Sequence, residues 1–493
     1  MEARAQILPS LPVPNSTSSC WQDPPSAIHD LRSTEELPSS ADYVIVGGGI
    51  SGAMIAWNLL EKSKDARVVM LEARGAVSGA TGRNGGHTKA ASYRTFPDHA
   101  QHHGMSQALK IARLEFDNIR ATHSIARELG FSCESRPCDT VDIVYDAQTF
   151  DAGVKAINMM KGNLTSEECL DGCGQYRIYG PEEAAERFHV DIEGYNGEKV
   201  AGAFEYEAGS ISAYKFTSNI LQCCLDRGLN LQTHTPVLGI IPCAAPDQQD
   251  HTSSPPPRWL IQTARGTIAT PNVILATNGY TAHLLPTLQS LIVPLRGQIT
   301  AQRPGTRLPQ GGCLSTTFSF IYKTGYEYMI TRPQTTPFPG DIIIGGGLGR
   351  LPPDAEVGEY GTCDDSSLNP QLSRYLRDCT KAYFGSHWGK DDPAGRVRKE
   401  WTGIMGVTGD GLPFVGQVPD ADGLWVSAGF NGHGMVLALK CAEALVGMML
   451  GEEISDWFPD CFRISQERVE RLREIGFKGR KGMSVSEGPE GSR

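Results

Sequence analysis

Asp42–Glu72 reads DYVIVGGGISGAMIAWNLLEKSKDARVVMLE, and this stretch decides the fold. An apolar run, Tyr43–Val46, ends at Gly47 and is followed by a helix-like segment. A second apolar run, Val68–Leu71, ends on an acid, Glu72. The pattern predicts a β-α-β unit with Gly47, Gly49 and Gly52 in the G-x-G-x-x-G spacing of a dinucleotide-binding turn. Gly47 permits the tight turn out of the strand. Gly49 lets a pyrophosphate approach the backbone, and Gly52 lets helix and strand pack closely. The phosphates then sit at the helix N-terminus, where free N–H groups around Ile50 and Ser51 and the dipole favour negative charge. Glu72 lies 20 residues beyond Gly52, where a carboxylate accepts ribose hydroxyls. A glycine triplet alone also marks ordinary α/β turns; this one has its strand, helix, second strand and acid.

A chain of 493 residues holds two or more domains, or one threaded through another. With 40% hydrophobic and 20% charged residues it has the composition of a soluble globular protein. A net charge of −11 argues against nucleic acid as a partner. No apolar run reaches the length of a membrane span, so no membrane partner is expected. The first 25 residues lack the apolar core of a secretory signal, and the C-terminal Glu490–Arg493 is not the S-K-L peroxisomal address. The expected location is cytoplasmic. Among the 13 cysteines, Cys133/Cys138 and Cys169/Cys173 have ligand-like spacing but no second pair to complete a zinc site. They read as free thiols in a reducing compartment, and His99, His102 and His103 as polar loop, so no metal is expected.

Residues 1–40 are rich in Pro and Ser and read as an extended or partly disordered arm. Helices are expected at Ser106–Leu129, Glu182–Phe188, Phe216–Leu225 and Pro370–Phe384. Strands are expected at Val141–Tyr145, Leu229–Thr233, Trp259–Thr263 and Asn272–Ala276. Ala244–Arg258, with three consecutive prolines, reads as a long hairpin tip or an insertion. Val293–Gly347 is β-rich, and Trp401–Leu450 reads as strand, glycine turn and helix.

At Gly79–His87, GATGRNGGH, the chain resembles the flavoprotein family of D-amino-acid oxidase, glycine oxidase, sarcosine oxidase and γ-glutamylputrescine oxidase, and the last branch most, through Arg83-Asn84-Gly85-Gly86. Further segments match in order: Thr235-Pro236-Val237, Ala276–Tyr280, Pro294–Gln298, Gly345–Gly347, Gly409–Pro413 and Gly432–Met435. The resemblance implies FAD rather than NAD. It implies an α/β fold: a discontinuous Rossmann-type FAD-binding domain with an interleaved α+β substrate domain on an antiparallel sheet. The FAD-binding segments would be 41–104, 199–292 and 397–455, and the substrate-domain segments 105–198 and 293–396, leaving 456–493 as a tail. Val237 would pass the adenine, and Arg83, Asn84, Gly85 and Gly86 would lie against pyrophosphate and flavin. Gly432, His433, Gly434 and Met435 would reach the isoalloxazine edge. Ala73, Arg74, Thr81, Gly82, His87, Thr277, Asn278 and Gly279 complete the implied cofactor set.

His87 is either a covalent flavin anchor or an ordinary wall residue. In relatives that grip a substrate carboxylate, an arginine stands where this chain has Met405. This favours an amine, or an amino compound held some other way, over a simple free amino acid. Arg296 and Arg332 are candidate replacement cations, or structural ion-pairing residues. Tyr326 and Tyr328 share one strand face and either wall a pocket for a cationic amine or pack the core. Trp401 has the same two readings. His433, Arg296 and Tyr328 are the expected catalytic residues, His433 by positioning the flavin. The expected reaction is oxidation of a CH–NH group of an amine or amino-acid derivative to an imine, with O2 giving H2O2. The alternatives are a dehydrogenase with another acceptor and a flavin-binding biosynthetic partner without turnover.

Overall fold

The computed structural model describes residues 1–243 and 256–477. In chain order its main elements are β1 (Tyr43–Val46), α1 (Ile50–Lys62), β2 (Val68–Leu71), α2 (Met105–Glu128), β3 (Arg136–Val144), β4 (Gly202–Ser210), β5 (Asn230–Gln232) and β6 (Asn272–Leu275). Then come β7 (Ile292–Gln302), β8 (Thr317–Tyr322), β9 (Gly325–Thr331), β10 (Ile342–Gly346), β11 (Val397–Thr408), β12 (Phe414–Gln417), β13 (Leu424–Ala428) and α3 (Gly434–Met449).

The first layer is a six-stranded sheet in the order β12-β13-β6-β1-β2-β5. Its neighbours pair in parallel except β12, which runs antiparallel to β13. Parallel strands are covered on both faces, which is why β1, β2 and β6 read as unbroken apolar runs. Ile45, Met70 and Ile274 face a core shared with α1 and α3. Their neighbours Val44, Val46, Val69, Leu71, Val273 and Leu275 face the opposite core. That core is shared with Val237, Ile261 and Ile268 of a three-stranded antiparallel sheet. The alternation is the two-residue period of a strand.

The second layer is a nine-stranded sheet running β11-β7-β10-β9-β8-β3-β4, extended by His87–Thr88 and flanked by Tyr176–Tyr179 on β4. It is not purely antiparallel, because β8 and β3 pair in parallel, Phe318 beside Val141. These two strands come from separate chain segments, so no hairpin imposes a direction on them. β7 and β11 pair along their whole length, from Ile292 with Thr408 to Gln302 with Val397. Their shared end reaches the first layer at Asn431, whose Oδ1 accepts from Thr408 N.

Local signals shift some boundaries. The helix expected from Phe216 starts earlier, at Ala213, because Ser212 Oγ accepts from Lys215 N and caps it. Helix Ala147–Lys161, absent from the sequence reading, starts on an Asp146 cap. Most of Ala244–Arg258 lies outside the described residues; its flanks Val237–Pro242 and Trp259–Thr263 pair antiparallel. Residues 1–40 run as a mainly irregular arm with buried anchors: Trp21 is 3% exposed, and Arg4 Nε donates to Tyr360 O. Near the other end, helix Gln466–Ile475 adds Val469 and Leu472 to the core, and its Arg468 pairs with Asp410. Among the described residues no helix is long and apolar enough to cross a membrane.

Candidate active site

A single cavity runs between the layers, from the turn after β1 to the N-terminus of α3. At its first end Gly47 has φ +112, and a Cβ there would stand 2.6 Å from Ala276 O. A Cβ on Gly52 would stand 2.0 Å from Gly47 O, so strand turn and helix touch through bare backbone. Thr81 Oγ1 accepts from Ile50 N at 3.0 Å, which satisfies the first amide of α1. The Glu72 carboxylate is already set in place, accepting from Gly48 N at 2.8 Å and Arg74 N at 2.9 Å.

The loop Gly79–His87 is clamped from three sides. Trp21 Nε1 donates to Asn84 O and Trp401 Nε1 to Arg83 O, each at 2.7 Å. The Arg83 guanidinium, buried, faces Asp365 and donates to the carbonyls of Thr17, Ser78 and Thr402. Burial pushes its pKa down to about 10. Arg74 pairs with the same Asp365 at 3.0 Å and donates to Val13 O. Both guanidiniums are therefore committed to Asp365 and the arm.

At the far end Gly432, His433, Gly434 and Met435 open α3 on the cavity wall. His433 Nδ1 donates to Asn431 O at 3.0 Å. Asn278 Oδ1 accepts from Gly429 N and Phe430 N, tying β6 to this turn. His87 Nε2 shares a 2.6 Å hydrogen bond with Thr317 Oγ1; burial holds its pKa well below the usual range, so the ring is neutral. The Tyr328 ring lies on Gly85, where a Cβ would meet Cε2 at 2.5 Å. The Arg94 guanidinium stacks 4.2 Å from the Tyr326 ring centre.

Of the residues singled out by sequence, the cavity wall includes Gly47, Gly49, Ile50, Ser51, Glu72, Ala73, Arg74, Thr81, Arg83, Asn84, Gly85, His87, Val237, Thr277, Asn278, the Gly432–Met435 turn, Met405 and Tyr328. Gly52, Gly82, Gly86 and Gly279 stand behind it as close-approach spacers; a Cβ on Gly279 would sit 2.4 Å from Met405 O. Arg296 does not reach the cavity. Its guanidinium is held by Glu359 at 2.6 Å and by Ser367 at 2.8 Å. Arg332 is likewise bound to Glu134 at 2.7 Å, and Trp401 is fully buried behind the loop. Sequence reading missed Lys89 and Arg94, which line the cavity, and the arm residues Ser10, Leu11 and Pro12, which cover part of it. Lys89 carried one usable signal: it stands two residues after His87 in extended chain, on the same side.

Residues 42–448 match the sequence profile of the family described as "DAO: FAD dependent oxidoreductase". The chain belongs to that family. It is 24% identical to a tRNA 5-methylaminomethyl-2-thiouridine biosynthesis bifunctional protein of Paracidovorax citrulli, over 92% of this chain and 65% of that one. It is 21% identical to the gamma-glutamylputrescine oxidoreductase of Escherichia coli, over 84% of each chain. Glycine oxidase from Geobacillus kaustophilus superposes with a TM-score of 0.63 at 20% identity, covering 87% of this chain and 99% of that one. The chain thus spans just under two thirds of the first of these relatives.

The site fits the family's cofactor. The side-chain-free run Gly47–Gly49 with Gly52 packed against it, the opening of a 13-residue helix and a fixed carboxylate at Glu72 have the shape and the donors that would hold a diphosphate and a ribose. The 16-residue helix α3 directs a second N-terminus at the other end of the cavity, where its first amides would stabilise negative charge on a reduced flavin ring. Among the described residues no group of His, Cys, Asp and Glu is placed to hold a metal ion.

Proposed function

We propose that this protein uses FAD to oxidise the CH–NH group of an amino compound bearing an acidic group to an imine, with O2 as acceptor and H2O2 as product. The observation that carries the substrate class is Arg94. Among the described residues its guanidinium makes no ion pair and no side-chain hydrogen bond, and it lines the cavity against Tyr326. It supplies the cation that Met405 does not. With that ring face taken by a guanidinium, an anionic group on the substrate is matched and a bare cationic amine is repelled.

In this reading Gly47–Ser51 would hold the diphosphate, Glu72 the ribose and Val237 the adenine. The Asn84–His87 loop and Gly432–Met435 would hold the flavin ring between them. When bound, FAD accepts the hydride from the substrate carbon. The protein orients that carbon through Arg94 and Tyr328, keeps water out with Met405, Ile299 and Leu348, and stabilises negative charge with the first amides of α3. Arg296 has no part in it, because Glu359 already holds it. The cofactor layer would combine 41–104, 199–292 and 397–455, and a reducing cytoplasmic location suits the 13 free cysteines.

The test is a panel of glycine, sarcosine, D-alanine, L-proline and the corresponding amines and amides, assayed for anaerobic flavin bleaching and for peroxide under air. Bleaching by acid-bearing members supports the reading. Bleaching by the amines and amides that lack an acidic group alone, or by none, contradicts it.

A further inference from the structure

Lys89 enters the same cavity from the extended chain after His87, and its side chain is 7% exposed. Its ammonium donates to Asp142 Oδ1 and to Ser319 Oγ. Asp142, with no exposure at all, also accepts on Oδ2 from Tyr93 at 2.8 Å and Tyr206 at 2.9 Å. The groups facing Lys89 are Asp142 on β3, Ser319 on β8, Tyr206 on β4 with its ring centre 5.8 Å away, Tyr93 and Arg94 in the helical turn Ser92–Arg94 just after Lys89 in the chain, and His87.

This arrangement has a property that an ordinary buried ion pair lacks. Removing a proton from a paired lysine normally strands its carboxylate, which is strongly destabilising. Here Asp142 keeps two phenol donors whichever form Lys89 takes, so the lysine can discharge without stranding it. Burial and the nearby Arg94 lower the Lys89 ammonium, Asp142 partly restores it, and the balance lies at about 8.

We propose that neutral Lys89 takes the proton from the substrate's ammonium group before oxidation. The inference rests on the reaction proposed above and names the base for it. One N–H bond of R–NH3+ breaks and its proton joins Lys89 Nζ, leaving R–NH2 with a free lone pair. That lone pair forms C=N as the hydride, one proton with two electrons, leaves the carbon for the bound cofactor. The product departs as the iminium, and Lys89 returns its proton to solvent.

The experiment is the pH dependence of anaerobic flavin reduction by whichever panel amino acid bleaches wild-type holoenzyme, compared with K89M, K89R and D142N. Wild type should show an ascending limb near the lysine's value of about 8. K89M and K89R should retain FAD yet lose that limb. Near neutral pH both should react roughly 10²–10⁴-fold more slowly. In strongly alkaline buffer, where the substrate amine is already neutral, they should converge on wild type. D142N should move the limb to lower pH, because it removes the charge that holds Lys89 protonated. A limb and rate unchanged in K89M overturns the assignment while leaving the reaction intact. Should K89M fail to retain FAD, an unmoved limb in D142N overturns it instead. If no panel member reduces the wild type, the reaction itself fails and Lys89 has no proton to take.

Discussion

Arg83 and Asp365 form a buried ion pair, Nε to Oδ2 at 3.4 Å, with each side chain 1% exposed. Through it the Gly79–His87 loop is fastened to a segment remote in sequence, and Arg74 joins the same carboxylate from the other side. Breaking a buried pair by removing one partner costs ~3–5 kcal/mol. D365N should therefore lower the melting temperature and the FAD content of the purified protein together. Wild-type stability and flavin content in D365N would remove the clamp from the account.

The arm presses on the same place. Val13 and Thr17 offer carbonyls to Arg74 and Arg83, Pro9 O accepts from His283 Nδ1 at 2.9 Å, and Ser10–Pro12 cover part of the cavity. Deleting residues 1–19 should leave the first sheet folded and speed FAD release, read as the rate at which flavin passes through a desalting membrane. An unchanged release rate would make the arm only a surface wrapping.

In the proposed reaction Arg94 selects the substrate class. A charge-assisted hydrogen bond contributes about 1.5–3 kcal/mol, so R94M should lower kcat/KM for acid-bearing substrates roughly ten- to hundredfold. The matching amides should lose nothing. Equal losses for acids and amides would show a structural role for Arg94.

Much of the fold was legible because its signals are local. β1, α1 and β2 announce themselves by unbroken apolar runs and glycine spacing, which covered parallel strands require. The glycine turns at Gly47–Gly52 and Gly432–Gly434 were readable for the same reason. Lys89 and Arg94 were not, since a single cation has no periodicity and its partner lies on another strand. Arg296 misled because nothing in the sequence shows that Glu359 folds beside it. The parallel pairing of β3 with β8 was equally hidden, being set by long-range packing rather than by a turn.

Glu115 offers a test of the core. Its carboxyl is buried with a hydrogen bond from Ser92, and burial raises its pKa to about 8. Between its ordinary value of 4.5 and about 8 the folded protein holds a proton that the unfolded chain has released. Stability from this group is thus complete at low pH and lost as pH rises through that window, at up to ~1.4 kcal/mol per pH unit. E115Q, which cannot ionise, should be more stable than wild type near neutral pH, with a gain that grows toward alkaline pH. A gain that shrinks as pH rises would reverse the assignment.

The most direct measurement is the visible absorption spectrum of the purified protein, followed anaerobically while acid-bearing amino compounds are added. The account predicts the bands of bound oxidised flavin, bleaching with at least one such compound and returning when air is admitted. A colourless protein that takes up no added FAD, or a yellow one that none of them bleaches, would contradict it.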